Sequence, residues 1–154
     1  MIKFRPRRLR LSENLRSMVR ETNLSVKDLI YPLFVVAGEN VREEIPSMPN
    51  CYHLSVDNAV ELAKKISALG IPAVEIFGLP EYKDEIGSSA WDMKSPVQRA
   101  IAAIKKSVPE LVIVGDVCLC QYTTHGHCGK LCGHYVDNDE TLKLLQKVDR
   151  KSVV

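Results

Sequence analysis

An α/β fold of parallel βαβ units is predicted by two observations. Short apolar, β-rich runs alternate with helical stretches, and the helices carry one apolar stripe each. The runs are residues 30–37, 73–78 and 111–117. Length sets the scale: 154 residues, 45% hydrophobic and 26% charged, are ordinary values for one globular domain.

Each element has its own signals. Residues 12–21 read as a short helix with Leu15, Met18 and Val19 on one side. Ser25 with Asp28 three residues on makes a capping-box start to a further turn. Residues 30–37, Ile-Tyr-Pro-Leu-Phe-Val-Val-Ala, form a buried strand with Pro32 near its beginning. Gly38, Pro46 and Pro49 mark residues 38–54 as loop with room for a small hairpin. Ser55 caps the next helix, Asp57 and Glu61 sit near its positive end, and Gly70 stops it. Its buried stripe is Ala59, Val60, Ala63, Ile66 and Leu69. After the strand at 73–78, residues 79–94 are polar and loop-like, with Trp91 among them. Ser95, Pro96 and Gln98 then give a cap, a first-turn proline and a capping-box partner. Val97, Ala100, Ile101 and Ile104 supply that helix's apolar face, and Pro109 ends the segment. Beyond the strand at 111–117, a loop to about Asp137 leads to a last helix from Asn138, with Leu142, Leu145 and Val148 inward. A closed eight-unit barrel typically needs ~250 residues. Three clear strands are therefore a small open sheet or the front part of a larger domain.

Several classes are excluded. No apolar run approaches the ~18 residues that span a bilayer, and no apolar segment follows the basic start to make it a secretory signal. Five cysteines without an export signal place the chain in a reducing compartment, the cytoplasm. Net charge is only +2, and the basic start (Lys3, Arg5, Arg7, Arg8, Arg10, Arg16 and Arg20) carries Phe4 as its one aromatic. A nucleic-acid partner is therefore not expected; the start reads as a solvated tail or one docked on a partner subunit.

The chemistry concentrates in residues 116–132. Asp116, Cys118 and Cys120 are two apart at the carboxyl end of the third strand, and side chains two apart in extended chain share a face. Val112 and Val114 continue that face inward. Carboxyl ends of parallel strands are where α/β folds place their chemistry. Cys128 returns after a Tyr-Thr-Thr-His-Gly-His loop with Gly126 for the turn, long enough to bring a third thiolate over the other two. Three thiolates at one point repel unless a cation neutralises them, and zinc accepts tetrahedral sulfur ligands. Three protein ligands leave a fourth position for water or substrate, the mark of a catalytic site; adding Cys132 or His127 would close it and make it structural. The open form is expected because Asp116 has no purpose beside a purely structural ion. His127 reads as a group behind the ligands or at an auxiliary metal rather than a first ligand, His125 equally as a metal-site residue or a loop hydrogen-bonder, His53 and His134 as surface residues, and Cys51 as a buried thiol.

Residues 116–129, Asp-Val-Cys-Leu-Cys-Gln-Tyr-Thr-Thr-His-Gly-His-Cys-Gly, resemble the zinc loop of the delta-aminolevulinic acid dehydratases, also called porphobilinogen synthases. Residues 5–10, 28–36, 45–49, 70–73 and 97–101 agree with the same family, so the likeness runs over residues 4–148. The cysteines point to its zinc-dependent branch, other members carrying aspartates there. The resemblance implies a TIM (β/α)8 barrel, here only its first βα units (residues 12–148) behind an N-terminal arm (residues 1–11). It implies homo-octamers in which that arm embraces a neighbouring subunit. It implies condensation of two 5-aminolevulinate molecules to porphobilinogen, with zinc as Lewis acid; use of magnesium as an auxiliary ion is left open. By position, Cys118, Cys120 and Cys128 match the zinc ligands, Asp116 an active-site carboxylate, and His127 the auxiliary metal residue.

There are departures. The family's two Schiff-base lysines fall outside these residues, and Lys130, Lys143 and Lys147 match neither. Residues 149–154 leave the family's pattern, as a divergent tail. The expectation is a truncated or frame-shifted chain, inactive alone. The competing reading is a non-catalytic zinc-binding fragment acting in assembly.

Overall fold

The computed structural model describes residues 6–152, with side chains as far as Asp149. Lys3, Phe4 and Arg5 of the expected arm, and the last two residues of the expected tail, lie outside them. A five-stranded sheet organises the chain, in the order β2 (Arg42–Glu44), β3 (Tyr52–Leu54), β1 (Ile30–Val35), β4 (Ala73–Gly78) and β5 (Val112–Gly115). Its centre is parallel: β1 (Ile30–Val35) pairs with β4 (Ala73–Gly78) over all six residues, and β4 with β5 (Val112–Gly115) from Ala73↔Val112 to Ile76↔Gly115. Two helices cover one face, α2 (Val56–Ala68) and α3 (Pro96–Ser107). Leu33 and Val35 of β1, and Val74 and Ile76 of β4, meet Ala59, Ala63 and Ile66 of α2 and Ala100, Ile101 and Ile104 of α3 in one continuous core. Burying each of the larger side chains contributes about 1.5–3 kcal/mol.

The loop expected at residues 38–54 holds more order than its composition suggests. The hairpin forms from β2 (Arg42–Glu44) and β3 (Tyr52–Leu54), and β3 then joins the main sheet parallel to the end of β1, Phe34↔His53 and Val35↔Leu54. Ser55 precedes α2 as expected, but its hydroxyl does not cap the helix; it accepts from the Val41 N–H at 2.8 Å and ties the hairpin to the helix start. Gly70 ends α2 in the left-handed region, φ +81°, its N–H donating to the Ser67 carbonyl. Leu69 stands outside the stripe assigned to it, 72% exposed, because it is the cap residue beyond the last packed turn.

Other expectations need correction. The capping box at Ser25 and Asp28 is present, opening a 3-10 turn at Val26–Asp28. The capping box at Ser95 and Gln98 is not: Gln98 is buried and its Nε2 donates to the Ala90 carbonyl at 2.9 Å. The first helix, α1 (Glu13–Met18), is short and its stripe packs on little, Met18 being 81% exposed. Ion pairs of Glu13 with Arg16 and Arg20 occupy it instead. The last helix, α4 (Asn138–Ser152), buries Thr141, Leu144 and Val148, while Leu142 points outward. It continues helical through the first residues of the supposed tail. A two-stranded hairpin, β6 (Leu131–Cys132) and β7 (Tyr135–Val136), interrupts the loop before it. Cys51, expected buried, is half-buried, and so is His53.

Candidate metal centre

The site grows out of the end of β5. The Asp116 N–H still reaches the Ile76 carbonyl, at 3.4 Å, and the chain then leaves the sheet. Leu119 is buried and serves as the pivot: the N–H groups of Tyr122 and Thr123 both donate to its carbonyl, at 2.9 and 3.0 Å. With Leu119 turned inward, Cys118 and Cys120 share the opposite side, their Sγ atoms 3.3 Å apart. Tyr122 and Thr123 are buried anchors for the return, and the Thr123 hydroxyl donates to the His127 carbonyl at 3.0 Å. Gly126, φ +72°, makes the turn that brings Cys128 back.

The three sulfurs of Cys118, Cys120 and Cys128 lie within 4.8 Å of one another, the one metal-capable group of its kind among the described residues. The thiols influence one another. Burial pushes the Cys118 thiol up, but the Cys120 N–H and the thiols of Cys120 and Cys128 outweigh it and hold Cys118 below the ordinary value. Cys120 is pushed up to about 12 by its hydrogen bond with Cys118, by burial and by the neighbouring sulfur charges. Cys128 is raised as well, chiefly by its hydrogen bond with Cys118. Such a cluster keeps protons that a cation would displace.

Two further segments hold the loop in place. Asp84, in the stretch expected to be plain loop, bridges to Thr123: its N–H donates to the Tyr122 carbonyl at 3.3 Å, and its carbonyl accepts from Thr124 at 3.0 Å. Its carboxylate accepts from the N–H groups of Ile86 and Ser88 and from the Ser88 hydroxyl. Burial acts against the charge, but these donors win and hold the carboxyl below its ordinary value. Gly87 lets this turn press on the loop; a Cβ there would meet Tyr122 and Leu119 at 3.2 and 3.3 Å. On the other side, the Thr141 hydroxyl of α4 accepts from the Lys130 N–H at 3.0 Å and donates to the Asp137 carbonyl.

The predicted site residues separate into two groups. Cys118, Cys120 and Cys128 come together. Asp116 stands just outside, half-buried, its Oδ2 accepting from Gln121 Nε2 at 2.6 Å. His127 is not among the clustered ligands; its exposed ring lies 5.3 Å from that of His125, and its Nδ1 is 3.0 Å from the His125 carbonyl. His125 bonds within the loop region, its Nε2 3.1 Å from the Glu85 carbonyl. Cys132 is exposed on β6 and apart from the cluster. Val112, expected to continue the site's face inward, is 55% exposed because β5 is a sheet edge. Sequence reasoning missed Asp84, Gln121, Gly129 and Thr141. Asp84 alone carried a signal, the turn chemistry of an Asp followed by Gly87 and Ser88.

Fold and cluster together define a class: α/β chains of barrel type whose metal-capable ligands sit at the carboxyl ends of parallel strands. The chain belongs to the delta-aminolevulinic acid dehydratase family, whose sequence profile matches residues 3–153. The dehydratase of Synechococcus elongatus is 53% identical over 147 residues, 93% of this chain and 45% of that protein. The dehydratase of Ruminiclostridium josui is 49% identical over 151 residues, 96% of this chain and 72% of that one. The crystal structure of delta-aminolevulinic acid dehydratase (porphobilinogen synthase) from Toxoplasma gondii, in complex with the reaction product porphobilinogen, superposes with a TM-score of 0.90 at 31% identity, covering 98% of this chain and 44% of that one. The chain thus spans less than half the length of several of the relatives it matches.

Proposed function

We propose that this chain is the metal-binding, N-terminal part of a porphobilinogen synthase, the hydro-lyase that condenses two 5-aminolevulinate molecules to porphobilinogen in tetrapyrrole (heme) biosynthesis. The observation that carries the reading is the convergence of three sulfurs within 4.8 Å, at the carboxyl end of the parallel sheet, in a chain of this family. Three sulfur donors suit Zn2+, whereas Mg2+ takes oxygen ligands. Cys118, Cys120 and Cys128 would hold the zinc, which when bound supplies Lewis acidity to polarise a substrate carbonyl. Asp116 is the residue we assign to proton transfer: Gln121 fixes its Oδ2, leaving Oδ1 for substrate. A hollow of about 310 Å³ lined by Phe34, Phe77, Leu79 and Gln121, the residue that holds Asp116, would receive the aliphatic part of 5-aminolevulinate. His127, outside the cluster, would serve an auxiliary ion such as magnesium. Residues 1–11 would dock on a neighbouring subunit in a homo-octamer. All five cysteines are free, in keeping with the cytoplasm, and among the described residues no helix is long and apolar enough to cross a membrane.

The assembly reading is favoured by one observation. Lys64, Lys130 and Lys143 are engaged in surface ion pairs, and Lys147 lies over the Trp91 ring. An imine-forming lysine needs desolvation or a neighbouring cation to be reactive at neutral pH. Titrating 5-aminolevulinate into the cobalt-loaded chain, then adding borohydride, tests both readings. A saturable spectral change without a lysine adduct supports a metal-binding part that is inactive alone. No spectral change favours assembly, and a stoichiometric adduct with turnover refutes inactivity.

A further inference from the structure

Gln121 follows Cys120 directly and is half-buried. Its Nε2 donates to Asp116 Oδ2 at 2.6 Å, a short bond to a charged acceptor. Asp116 is two residues from Cys118, and its negative charge is felt at both Cys118 and Cys128. A carboxylate so placed is itself a competent oxygen ligand for zinc or cobalt. Yet the mutually close ligand atoms are the three sulfurs without it. The amide of Gln121, which also lines the apolar hollow, is the side-chain partner that holds this carboxylate. We infer that Gln121 is a positioning residue: by holding Asp116 Oδ2 it keeps that carboxylate from becoming a fourth ligand to a metal on Cys118, Cys120 and Cys128, so the fourth position stays open to an external oxygen or nitrogen ligand.

The inference rests on the metal reading proposed above, and its test separates the two. The full 154-residue chain is loaded with cobalt(II), and imidazole is added as the external ligand while the visible bands are followed. Unsubstituted chain should give thiolate–cobalt absorption and a saturable shift with imidazole. Gln121→Ala, which frees Asp116, should keep the thiolate absorption and bind imidazole at least about tenfold more weakly, the loss expected when a hydrogen bond to a charged group is removed. Gln121→Ala combined with Asp116→Ala should restore imidazole binding, which a merely structural role for Gln121 would not do. If Gln121→Ala does not fold, Gln121→Asn, whose shorter amide cannot make the same reach, replaces it with and without Asp116→Ala. Equal imidazole affinity with and without the Gln121 amide overturns the inference and leaves the metal reading intact. A loss that persists in the double variant overturns it equally. Absence of thiolate–cobalt absorption in the unsubstituted chain overturns both.

Discussion

Gly129→Ala is the substitution through which the structure predicts most about the loop. A Cβ at this position would meet the Thr141 Oγ1 at 2.4 Å, the Val136 Cγ1 at 2.5 Å and the Thr141 Cγ2 at 2.8 Å. Ordinary carbon contacts begin near 3.4 Å, so the backbone must retreat by about 1 Å or Thr141 must turn away. Thr141 is poorly able to turn, because its hydroxyl accepts from Lys130 N–H and donates to the Asp137 carbonyl. The loop therefore moves, and Cys128, the preceding residue, moves with it. Metal–sulfur distances tolerate about 0.2 Å, so a displacement several times larger removes Cys128 as an effective ligand. Overpacking of this kind costs about 1–3 kcal/mol of stability. Loss of support for a ligand weakens metal binding about 10–100-fold. Competition with a chromophoric zinc chelator measures the second effect and thermal unfolding the first. Gly133→Ala is the control: its φ of +62° strains the alanine, but no atom lies within 4 Å of the added Cβ, so zinc affinity should hold. An affinity for Gly129→Ala equal to that of the unsubstituted chain would refute the claim that α4 fixes Cys128.

Acidity should act on the same site with a definite sign. Cys120, at about 12, and Cys128, raised above its ordinary 9.0, carry protons at neutral pH, so metal uptake there should release at least two protons. Zinc affinity should then fall by at least roughly 100-fold per pH unit on acidification, and a pH-independent affinity would contradict the shared-proton cluster. Asp84→Ala should lower unfolding free energy by about 1–2 kcal/mol through lost hydrogen bonds and loosen the metal loop. The Asp84 carboxyl is depressed in the folded chain, so its contribution is present above the ordinary 3.8 and is lost as pH falls through the lower folded value. Asp84→Asn should flatten that acid limb of the stability profile, read by denaturant titration between about pH 2 and 5; an unchanged limb would count against it.

Periodic elements were the legible ones. In α3 the positions Val97, Ala100, Ile101 and Ile104 are all buried, because a 3.6-residue repeat leaves one face to choose. α4 was ambiguous, since Leu142, Leu144 and Leu145 offer alternative stripes. Thr141 turns inward against Gly129, twelve positions earlier in the chain, and Leu144 packs with Ala90, Leu119 and Tyr122; neither contact leaves a local trace. The small hairpin within residues 38–54 was legible, but not the place of its strands, because three residues, charged in the case of Arg42-Glu43-Glu44, show no alternation; pairing of β3 with β1, and of β2 with β3, fixes them. Ser55 and Gln98 stood at cap spacing, but each found a partner outside its own helix, Val41 and Ala90. The cysteine cluster was legible because its spacing is local. Its support was not: Asp84 and Thr141 reach the loop from remote positions, and Gln121 carries no spacing signal.

On the function proposed above, Cys118, Cys120 and Cys128 bind one metal ion and Cys132 does not. Zinc content per chain, measured by elemental analysis after equilibrium dialysis, tests it most directly when read beside cobalt–thiolate absorption. The unsubstituted chain should hold about one zinc, as for a three-thiolate site, and Cys132→Ser should hold the same with nearly unchanged affinity. Replacing Cys118, Cys120 and Cys128 together by serine should abolish both the zinc and the absorption. Retained zinc in that triple variant, or equal losses from Cys132→Ser and Cys128→Ser, would contradict the three-sulfur site.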